Sequence, residues 1–365
     1  MKVLFDCRYV VRTGHHDGIS RYSARLVEAL GRRMPVEMLI SDERQLEKLP
    51  DLAWHLITSE TSLREPWIAR QLNPLEPDVV FSPLQTIGSS GRRYGLVITL
   101  HDLIYHRHRT PPKNLPWYIR AGWWAYHLTF IPQRRVLNQP DEVVTVSETT
   151  KALIAEHRLT RRPVTVVYNA GDPLEANPPQ RTPPKTRRLV YIGSFMPYKN
   201  VETLARAMHE LPGYRLHLLS RVTPADRIRL AALAPADVLE FHNGVSDDEY
   251  AELLEGAHAL VTASRDEGFG IPLVEAMGVG TPIVVSDIPI FHEIGGAAGL
   301  YAAPMDPAAF AASIRSLEDP KVWSSRSAAA REQSLAFTWE RSADVLYEVL
   351  RRVASKPRPE DADVE

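Results

Sequence analysis

The sequence predicts an α/β protein built from two doubly wound parallel sheets. Short apolar runs alternate with amphipathic helical stretches along most of the 365 residues, which is the pattern of buried parallel strands joined by helices. The alternation is interrupted at residues 170–187 (AGDPLEANPPQRTPPKTR), where five prolines and few large apolar residues indicate a linker. Because chains of this length usually form two domains, we expect one sheet on each side of the linker.

The first domain is predicted at residues 1–172 and begins with an apolar strand, KVLFD. Its strand candidates are residues 2–6, 36–41, 78–83, 96–102, 142–148 and 164–169. Amphipathic helical patterns lie between several of them, the clearest at 19–33 and 148–159. A GxGxxG loop does not follow the first strand, which argues against a dinucleotide-dependent dehydrogenase.

The second domain is predicted at residues 188–337, after a proline-rich linker at 173–187. The alternation restarts there, with strand candidates at 189–194, 214–220, 238–244, 258–264, 282–287 and 299–304. A closing helix is predicted over residues 338–354, with an apolar stripe formed by Trp339, Val345, Leu346, Val349 and Leu350. The charged tail at 356–365 is expected to be disordered.

Bulk composition excludes several classes of protein. The 43 basic and 45 acidic residues nearly cancel, so no overall basic field points to nucleic acid. A single cysteine, Cys7, excludes an internal disulfide and suits a reducing compartment. The first residues enter a strand at once and do not read as a signal peptide, and no apolar run is long enough to span a bilayer. We therefore expect a cytoplasmic protein.

The most informative segment is residues 264–282, SRDEGFGIPLVEAMGVGTP. It follows a predicted strand and precedes a helical pattern that opens at Pro272, a residue suited to the first helical turn. Backbone N–H groups of the intervening turn would face an anion at the positive end of the helix dipole. Glu267 and Glu275 would stand on either side of that ligand. Taken alone, Glu275 is explained as well by the dipole, and paired carboxylates also occur in glycosidases, but there they flank an open cleft.

The whole string of residues 264–282 resembles the Glu-x7-Glu signature of retaining glycosyltransferases of family 4. The resemblance extends over residues 1–354 and implies the GT-B fold, in which two Rossmann-like domains face a central cleft and the last helix returns to the first domain. It also implies transfer of a hexose, with mannose favoured, from a GDP- or UDP-linked sugar donor to an alcohol of a glycan or glycolipid. The anomeric configuration would be retained without a metal or other cofactor.

The same resemblance implies roles for the residues of this motif. Glu267 would hold hydroxyls of the transferred sugar, and Glu275 would accept hydrogen bonds from the ribose. The donor diphosphate would lie against backbone amides of the connecting turn, which is formed by Gly268, Phe269, Gly270 and Ile271.

A second motif, YIGSFMPYKN at residues 191–200, is similar to the family's strand–Gly–x5–Lys–Asn element. There Lys199 would neutralise the donor diphosphate, although a lysine at a helix start is usually only a solvated surface residue. Ser194 stands where the family often has arginine, so one positive charge of the usual pair is missing. Arg221, at the end of the next predicted strand, is the candidate that would compensate.

Further positions receive roles through the resemblance alone. His101 ends the predicted strand LVITLHD and would lie near the donor sugar, whereas its residue type and position by themselves indicate a cap for the next turn. Gly18, in HHDGISRY, would touch the diphosphate or the acceptor, and a plain loop before a helix explains it nearly as well. Val245, in HNGVSDDEY, would hold the nucleobase through backbone contacts, with Ser246 as the N-cap of the next helix.

No sequence pattern points to a metal. HExxH and Cys/His clusters are absent, and the acidic candidates Asp102, Asp247 and Asp248 lack the Asp-x-Asp form of metal-dependent transferases. Two rival functions stay open. One is a sugar-nucleotide epimerase or phosphorylase, which the motif context disfavours. The other is a catalytically weak protein that only binds nucleotide sugars, which Ser194 favours.

Residues 107–135 are rich in aromatic and basic side chains, and two interpretations are open. The segment can lie on a membrane surface, where a lipid-linked acceptor would be found, or it can pack its aromatic side chains on the sheet. Aromatic stripes more often belong to a core, so core packing is the preferred interpretation. The residues concerned are Arg107, Arg109, Lys113, Arg134 and Arg135, with Trp117, Trp123, Trp124, Tyr126 and Phe130.

Overall fold

A computed structural model describes residues 1–13, 18–111, 116–171 and 181–356. The chain divides into two compact units. The first unit consists of Met1–Ala170 and the C-terminal residues from Trp339 onward, and the second is Gly171–Thr338. Lys113 of the aromatic segment, most of the predicted linker and the tail from residue 357 lie outside the described residues.

Strands and helices alternate through both units. The strands are β1 (Val3–Asp6), β2 (Glu37–Ile40), β3 (Trp54–Leu56), β4 (Val79–Ser82), β5 (Gly95–Leu100), β6 (Glu142–Thr145), β7 (Val164–Val166), β8 (Arg188–Tyr191), β9 (Arg215–Leu218), β10 (Leu239–Phe241), β11 (Ala259–Thr262), β12 (Ile283–Ser286) and β13 (Leu300–Ala302). The helices are α1 (Gly18–Arg33), α2 (Ala69–Leu72), α3 (Ile104–Arg107), α4 (Trp117–Tyr126), α5 (Ile131–Leu137), α6 (Glu148–Glu156), α7 (Val201–Ala207), α8 (Pro224–Ala231), α9 (Asp247–Glu255), α10 (Ile271–Gly278), α11 (Pro289–Gly295), α12 (Pro307–Ser316), α13 (Pro320–Ser334) and α14 (Trp339–Ala354).

The first unit contains a sheet of seven strands in the order β3-β2-β1-β4-β5-β6-β7. Neighbouring strands of this sheet are parallel. β1, β4 and β6 are buried along their whole length, as expected for strands covered by helices on both faces. The order of the strands reverses between β1 and β4. In open sheets of this kind, ligands bind beyond the carboxyl ends of the strands at such a switch point.

The second unit contains a parallel sheet of six strands in the order β10-β9-β8-β11-β12-β13. The switch point of this sheet lies between β8 and β11. Apolar side chains of the strands and of α7 and α12 form its core together with Trp323 of α13. The indole N–H of Trp323 donates to the carbonyl oxygen of His258 at 2.9 Å, so the polar atom of this buried ring is satisfied.

Local sequence sets where several of these helices begin. Ser147 and Ser246 cap α6 and α9 by accepting from backbone N–H groups of the first turn. Three other helices begin with a capping side chain followed at once by proline at the first helical position, where its missing N–H is no loss. These capping residues are Thr223 before α8, Asp306 before α12 and Asp319 before α13.

The predicted fold class is confirmed: each strand candidate overlaps an observed strand, and both sheets are parallel and doubly wound. One strand, β3, is not among the sequence candidates. Helix α14 belongs to the first unit, where Arg33 of α1 pairs with Asp344 at 2.6 Å and Arg352 pairs with the buried Glu142 of β6 at 2.5 Å. The predicted stripe of α14 is wrong at Val345, which is exposed, because the buried face runs through Trp339, Ser342, Ala343, Leu346, Val349, Leu350 and Val353.

The preferred core interpretation of the aromatic segment is wrong for α4. None of its residues is buried, and Trp117 and Trp124 are 78% and 48% exposed. Trp123 instead packs edge-on against the exposed Tyr105, with ring centroids 5.0 Å apart. Helix α5 does contribute to the interior through Gln133 and Leu137. Among the described residues, no helix combines the length and the apolarity needed to cross a membrane.

Candidate functional site

The switch point of the second sheet brings two motif-bearing loops together. One loop follows β8 and carries Ser194 and Lys199, and the other follows β11 and carries Glu267. The backbone N–H of Arg265 donates to the carbonyl oxygen of Tyr198 at 2.8 Å, which joins the two loops directly. The site therefore forms at the edge of the sheet where ligands of open α/β sheets bind.

An ion pair joins these loops at their centre. Lys199 Nζ lies 2.5 Å from Glu267 Oε1, and the side chains are 17% and 14% exposed. Ser264 Oγ donates to the same oxygen of Glu267 at 2.8 Å, so the carboxylate is fixed from two sides. The lysine also lies over the ring of Tyr198, 5.4 Å from its centroid. A cation and a carboxylate are thus held side by side, both still reachable from solvent.

Asn200 follows Lys199 and fixes its position, a role that the sequence motif did not reveal. Its backbone has a left-handed conformation (φ 52°), which asparagine tolerates better than most residues. Its side-chain amide donates to the carbonyl oxygens of Ala263 and Pro304, at 3.0 and 2.6 Å, and accepts from Thr203 Oγ1 at 3.0 Å. The sequence signal for this role was an asparagine placed directly before a helical pattern.

The turn between the two glutamates is shaped by glycine. Gly270 precedes α10 with φ 98°, a conformation that L side chains rarely adopt. Phe269 is buried edge-on against Phe337, with ring centroids 5.7 Å apart, which anchors the turn to the core. Helix α10 then begins at Ile271 with Pro272 in its first turn, so its amino end faces the loop that carries Gly268. The first-turn N–H groups of α10 and the positive end of its dipole therefore lie at this turn, a few residues after Glu267, the partner of Lys199.

Glu275 lies in the second turn of α10 and has a partner that sequence reasoning missed. Tyr250 of α9 donates its hydroxyl hydrogen to Glu275 Oε2 at 2.8 Å, and Tyr250 is nearly buried. This bond fixes the direction of the carboxylate. The two residues are 25 positions apart in helices separated by a strand, so no local spacing could have revealed the contact.

The remaining candidates of the second unit lie around the loops after β8, β9 and β10. Ser194 is exposed, and its carbonyl oxygen accepts from the hydroxyl of Tyr191 at 2.7 Å. Arg221 is exposed beside Gly244, where a Cβ would meet Arg221 Cγ at 3.5 Å. The half-buried Val245 follows that glycine, so Arg221 and Val245 flank one turn.

In the first unit, His101 follows β5, and its ring is held in one tautomer. Its Nε2 lies 2.8 Å from the carbonyl oxygen of Pro83 and must carry the hydrogen, which makes Nδ1 the acceptor. Burial lowers the pKa of His101 to about 4, so the ring is neutral at pH 7. The ring of Tyr22 meets it edge-on at 5.0 Å. Gly18, the exposed first residue of α1, is described, while residues 14–17 of its loop are not.

The switch point of the first sheet holds a buried charge cluster that no sequence motif indicated. Arg8 donates two hydrogen bonds to Asp6, at 2.8 and 2.9 Å, and two to Glu65, at 2.7 and 2.8 Å. The side chains of Arg8 and Asp6 are fully buried. Burial raises the pKa of Glu65, and its hydrogen bonds with Arg8 oppose that rise. All three side chains have partners, which is the arrangement of a structural cluster.

Two family models of known proteins match this chain, one in its first half and one in its second half. A model described as Glycosyltransferase Family 4 matches residues 16–173, and one described as Glycosyl transferases group 1 matches residues 175–333. The chain belongs to this glycosyltransferase family. This family 4 glycosyltransferase is 26% identical over 311 residues to the O-antigen chain mannosyltransferase RfbU of Salmonella typhimurium, an alignment that spans 82% of this chain and 87% of the relative.

A second relative matches only in part. The MMP alpha-(1->4)-mannosyltransferase of Mycolicibacterium hassiacum is 30% identical over 199 residues, which are 52% of this chain and 48% of the relative. The alignment therefore covers about half of each protein.

Solved structures show the fold of this glycosyltransferase. Sucrose-phosphate synthase of Thermosynechococcus elongatus superposes with a TM-score of 0.71 at 21% identity, over 96% of this chain and 98% of the other. Anabaena HepE in complex with UDP and glucose superposes with a TM-score of 0.70 at 17% identity, over 96% and 100%. The expected GT-B fold is thereby confirmed.

Proposed function

We propose that this glycosyltransferase transfers a hexose from a GDP- or UDP-linked donor to an alcohol of a glycan or glycolipid, with retention of anomeric configuration. Mannose is the favoured sugar, since two curated relatives are mannosyltransferases, while HepE was solved with UDP-glucose. The observation that carries the proposal is the Lys199–Glu267 pair, 2.5 Å apart beside the glycine turn that opens α10.

The charges of this group match those that develop in the reaction. As the bond between the anomeric carbon and the phosphate oxygen breaks, negative charge builds on the diphosphate and positive charge on the sugar ring. Lys199 and the amides of Phe269, Gly270 and Ile271 would stabilise the diphosphate, and Glu267 would hold sugar hydroxyls beside the cationic ring. Such preorganised groups supply the positive charge that a metal ion supplies in other transferases.

The other candidates complete this assignment. Glu275 would bind the ribose hydroxyls, Val245 the nucleobase, and Arg221 would offset the charge missing at Ser194. His101 would contact the donor sugar, and Gly18 the diphosphate or the acceptor. The acceptor hydroxyl would attack the anomeric carbon from the face that the diphosphate leaves, and its proton would pass to the departing phosphate.

The first test is a thermal-shift panel of GDP-mannose, UDP-glucose, UDP-galactose and UDP-N-acetylglucosamine, followed by product analysis. One donor is expected to raise Tm and to be hydrolysed slowly without acceptor, and NMR should show the donor's anomeric configuration in the product. Turnover is expected to persist in excess EDTA, because the counter-charge comes from protein groups.

Three outcomes would contradict this assignment. Loss of turnover in EDTA that Mg²⁺ or Mn²⁺ restores would exclude metal-independent transfer. An inverted product would exclude retention. Binding of a donor without any turnover would favour a protein that only binds nucleotide sugars.

Tyr250 and Glu275 allow the nucleotide site to be tested by itself. Glu275→Gln is expected to weaken both the donor and the free nucleoside diphosphate by about 1.5–3 kcal/mol, since the ribose is common to both ligands. Tyr250→Phe keeps the carboxylate but removes its orienting bond, so we expect a loss of about 1 kcal/mol for the same two ligands. Calorimetric titration measures both changes.

A matched control is available in the same unit. Tyr214→Phe also removes a tyrosine hydroxyl that donates to a glutamate, Glu318, at 3.2 Å, and it should leave nucleotide affinity unchanged. If Tyr250→Phe behaves like this control, the bond to Glu275 has no part in nucleotide binding.

We also propose that helix α4 and the basic residues just before it contact the cytoplasmic face of a membrane that carries the acceptor. Trp117 and Trp124 are largely exposed on α4, and Arg107 and Arg109 are exposed just before it. Apolar aromatic rings beside basic side chains suit an anionic interface.

Sedimentation with vesicles tests this contact. Vesicles that contain anionic lipid are expected to sediment the protein at low salt, and glutamine at Arg107, Arg109 and Lys113 should weaken this severalfold. Glutamine at Arg44, Arg64 and Arg70, which are exposed after β2 and β3, is the charge-matched control. Equal losses in the two triple variants would show that only the net charge of the protein drives binding. Absence of sedimentation with the vesicles would exclude the membrane contact.

A further inference from the structure

A cluster of metal-ligand side chains lies at the edge of the second sheet, formed by residues to which the proposed donor site assigns no role. In the parallel pair of β9 and β10, Glu240 lies opposite His217. His242 follows two positions after Glu240, and side chains two apart in an extended chain share one face. The register therefore brings His217, Glu240 and His242 to the same face at the edge of the sheet.

The three side chains converge through their polar atoms. His217 Nδ1 lies 3.0 Å from His242 Nε2, and His217 Nε2 lies 3.4 Å from Glu240 Oε2. One ligand atom from each residue can be chosen so that all three lie within 4.8 Å of one another. Ligands bound 2.0–2.2 Å from a tetrahedral zinc ion are about 3.3–3.6 Å apart. The two short contacts use different nitrogens of His217, of which only one can bind the ion. Small side-chain rotations would place that nitrogen, His242 Nε2 and a carboxylate oxygen of Glu240 around it.

A fourth side chain supports this set. His242 Nδ1 lies 3.4 Å from Glu249 Oε1 on α9, which leaves Nε2 as the nitrogen that faces the cluster. Metal-bound histidines usually donate their other N–H to a carboxylate in this way. Glu240 also lies 3.8 Å from Arg215, an exposed guanidinium that a bound cation would replace. Two imidazoles and two carboxylates together match a divalent cation in both charge and ligand type.

We propose that His217, Glu240 and His242 bind a divalent transition metal of the zinc class, with Glu249 orienting His242. Two histidines and one glutamate leave a fourth position for water. His217 is buried and Glu240 is half exposed, so the ion would enter from solvent at the edge of the sheet.

The bound ion would fix the end of β10 and the turn that follows it. His242 directly precedes Asn243 and Gly244, both of which have positive φ, and Val245 comes next. The metal would therefore hold the turn that we assign to the nucleobase. This second consequence rests on the proposed function, whereas metal binding itself does not.

The test uses the full chain, without a polyhistidine tag, after treatment with EDTA and dialysis. Titration with ZnCl₂ is expected to give one bound equivalent per chain by metal analysis and to raise the Tm of the second unit. Co²⁺ serves as a spectroscopic probe, because tetrahedral coordination gives it intense visible absorption. Glu240→Gln and His242→Gln should abolish this signal, and Glu249→Gln should weaken binding by about 10–100-fold.

His292→Gln is the matched control, because His292 is an exposed histidine of the same unit that pairs with one carboxylate, Asp287, at 2.6 Å. This variant should bind zinc as the parent does. If a His242 variant fails to fold, Glu240→Gln decides the question, since its side chain is half exposed.

Failure of the zinc titration, or unchanged binding in Glu240→Gln and His242→Gln, would overturn the proposal and leave only a hydrogen-bonded chain of histidines and glutamates. The zinc result and the donor assignment are separable, because the proposed transfer needs no metal. Nucleoside-diphosphate affinity, compared with and without Zn²⁺, then reports whether the ion acts on the turn at Val245.

Discussion

Replacing Lys199 by methionine is expected to lower kcat/KM for the donor by roughly 10²–10³, the usual effect of removing one preorganised group that stabilises developing negative charge. Methionine keeps most of the length of the side chain and removes its charge. The loss should appear in kcat and also in affinity for the free nucleoside diphosphate, because the diphosphate is charged before the reaction as well as after it. Initial rates and calorimetric titration measure the two effects separately.

Two variants make this result specific. Lys321→Met removes an exposed lysine in the first turn of α13 in the same unit, and it should leave both quantities unchanged. Lys199→Arg keeps the positive charge and should recover part of the nucleotide affinity, but less of kcat, since the guanidinium cannot take the same position beside Glu267.

Glu267→Gln gives the complementary result. It removes the partner of Lys199 but leaves the lysine available to the diphosphate, so nucleoside-diphosphate affinity should be retained while kcat falls. If the Lys199 and Glu267 variants lose nucleotide affinity equally, the division between diphosphate and sugar contacts is wrong. If neither loses activity, the pair is only a structural salt bridge between two loops.

Much of the fold could be predicted because buried parallel strands leave a strong local signal. Val79–Ser82 and Ile283–Ser286 each begin with three consecutive apolar residues, a pattern that needs no tertiary context to be recognised. The exception, β3, consists of Trp54, His55 and Leu56 at the edge of the sheet, with two of its three residues exposed. An edge strand buries little, and this one has only three residues, too few for a strand pattern to stand out in the sequence.

The prediction that the aromatic side chains of α4 are buried failed for a related reason. An aromatic stripe predicts burial only when a partner surface is assumed, and the sequence does not say whether that partner is the sheet or something outside the protein. The exposure of Trp117 shows that the sheet is not the partner.

In the candidate site, too, local features could be predicted from the sequence and contacts between distant residues could not. Its turn and helix start are local features, and glycine and proline mark them in the sequence. The contacts that define its chemistry are not local: Lys199 meets Glu267 across 68 positions, because β8 and β11 are neighbours only after the strand order reverses. Two further features depend on tertiary packing and cannot be derived from sequence spacing. They are the contact between Tyr250 and Glu275 and the strand register that pairs His217 with Glu240.

The largest effect on stability is expected at Arg8, in the buried cluster of the first unit. Arg8→Met leaves Asp6 and Glu65 buried without their counter-charge, and removing one partner of a buried pair typically costs about 3–5 kcal/mol. The loss should be confined to the first unit. Hydrogen exchange of peptides from β1 and β4, compared with peptides from β8 and β11, measures it without requiring the whole chain to unfold in one step.

The chain supplies an unusually close control for this prediction. Arg44 pairs with Asp42, also two positions before it, through bonds of 2.9 and 2.5 Å, but this pair is exposed. Arg44→Met should therefore leave the free energy of unfolding nearly unchanged, because solvent screens an exposed pair. The double variant Arg8→Met with Glu65→Gln should be less destabilised than Arg8→Met alone, because it leaves one uncompensated carboxylate in place of two. Equal effects of Arg8→Met and Arg44→Met would show that burial does not set the cost, and a double variant no better than the single would assign the loss to packing around Arg8.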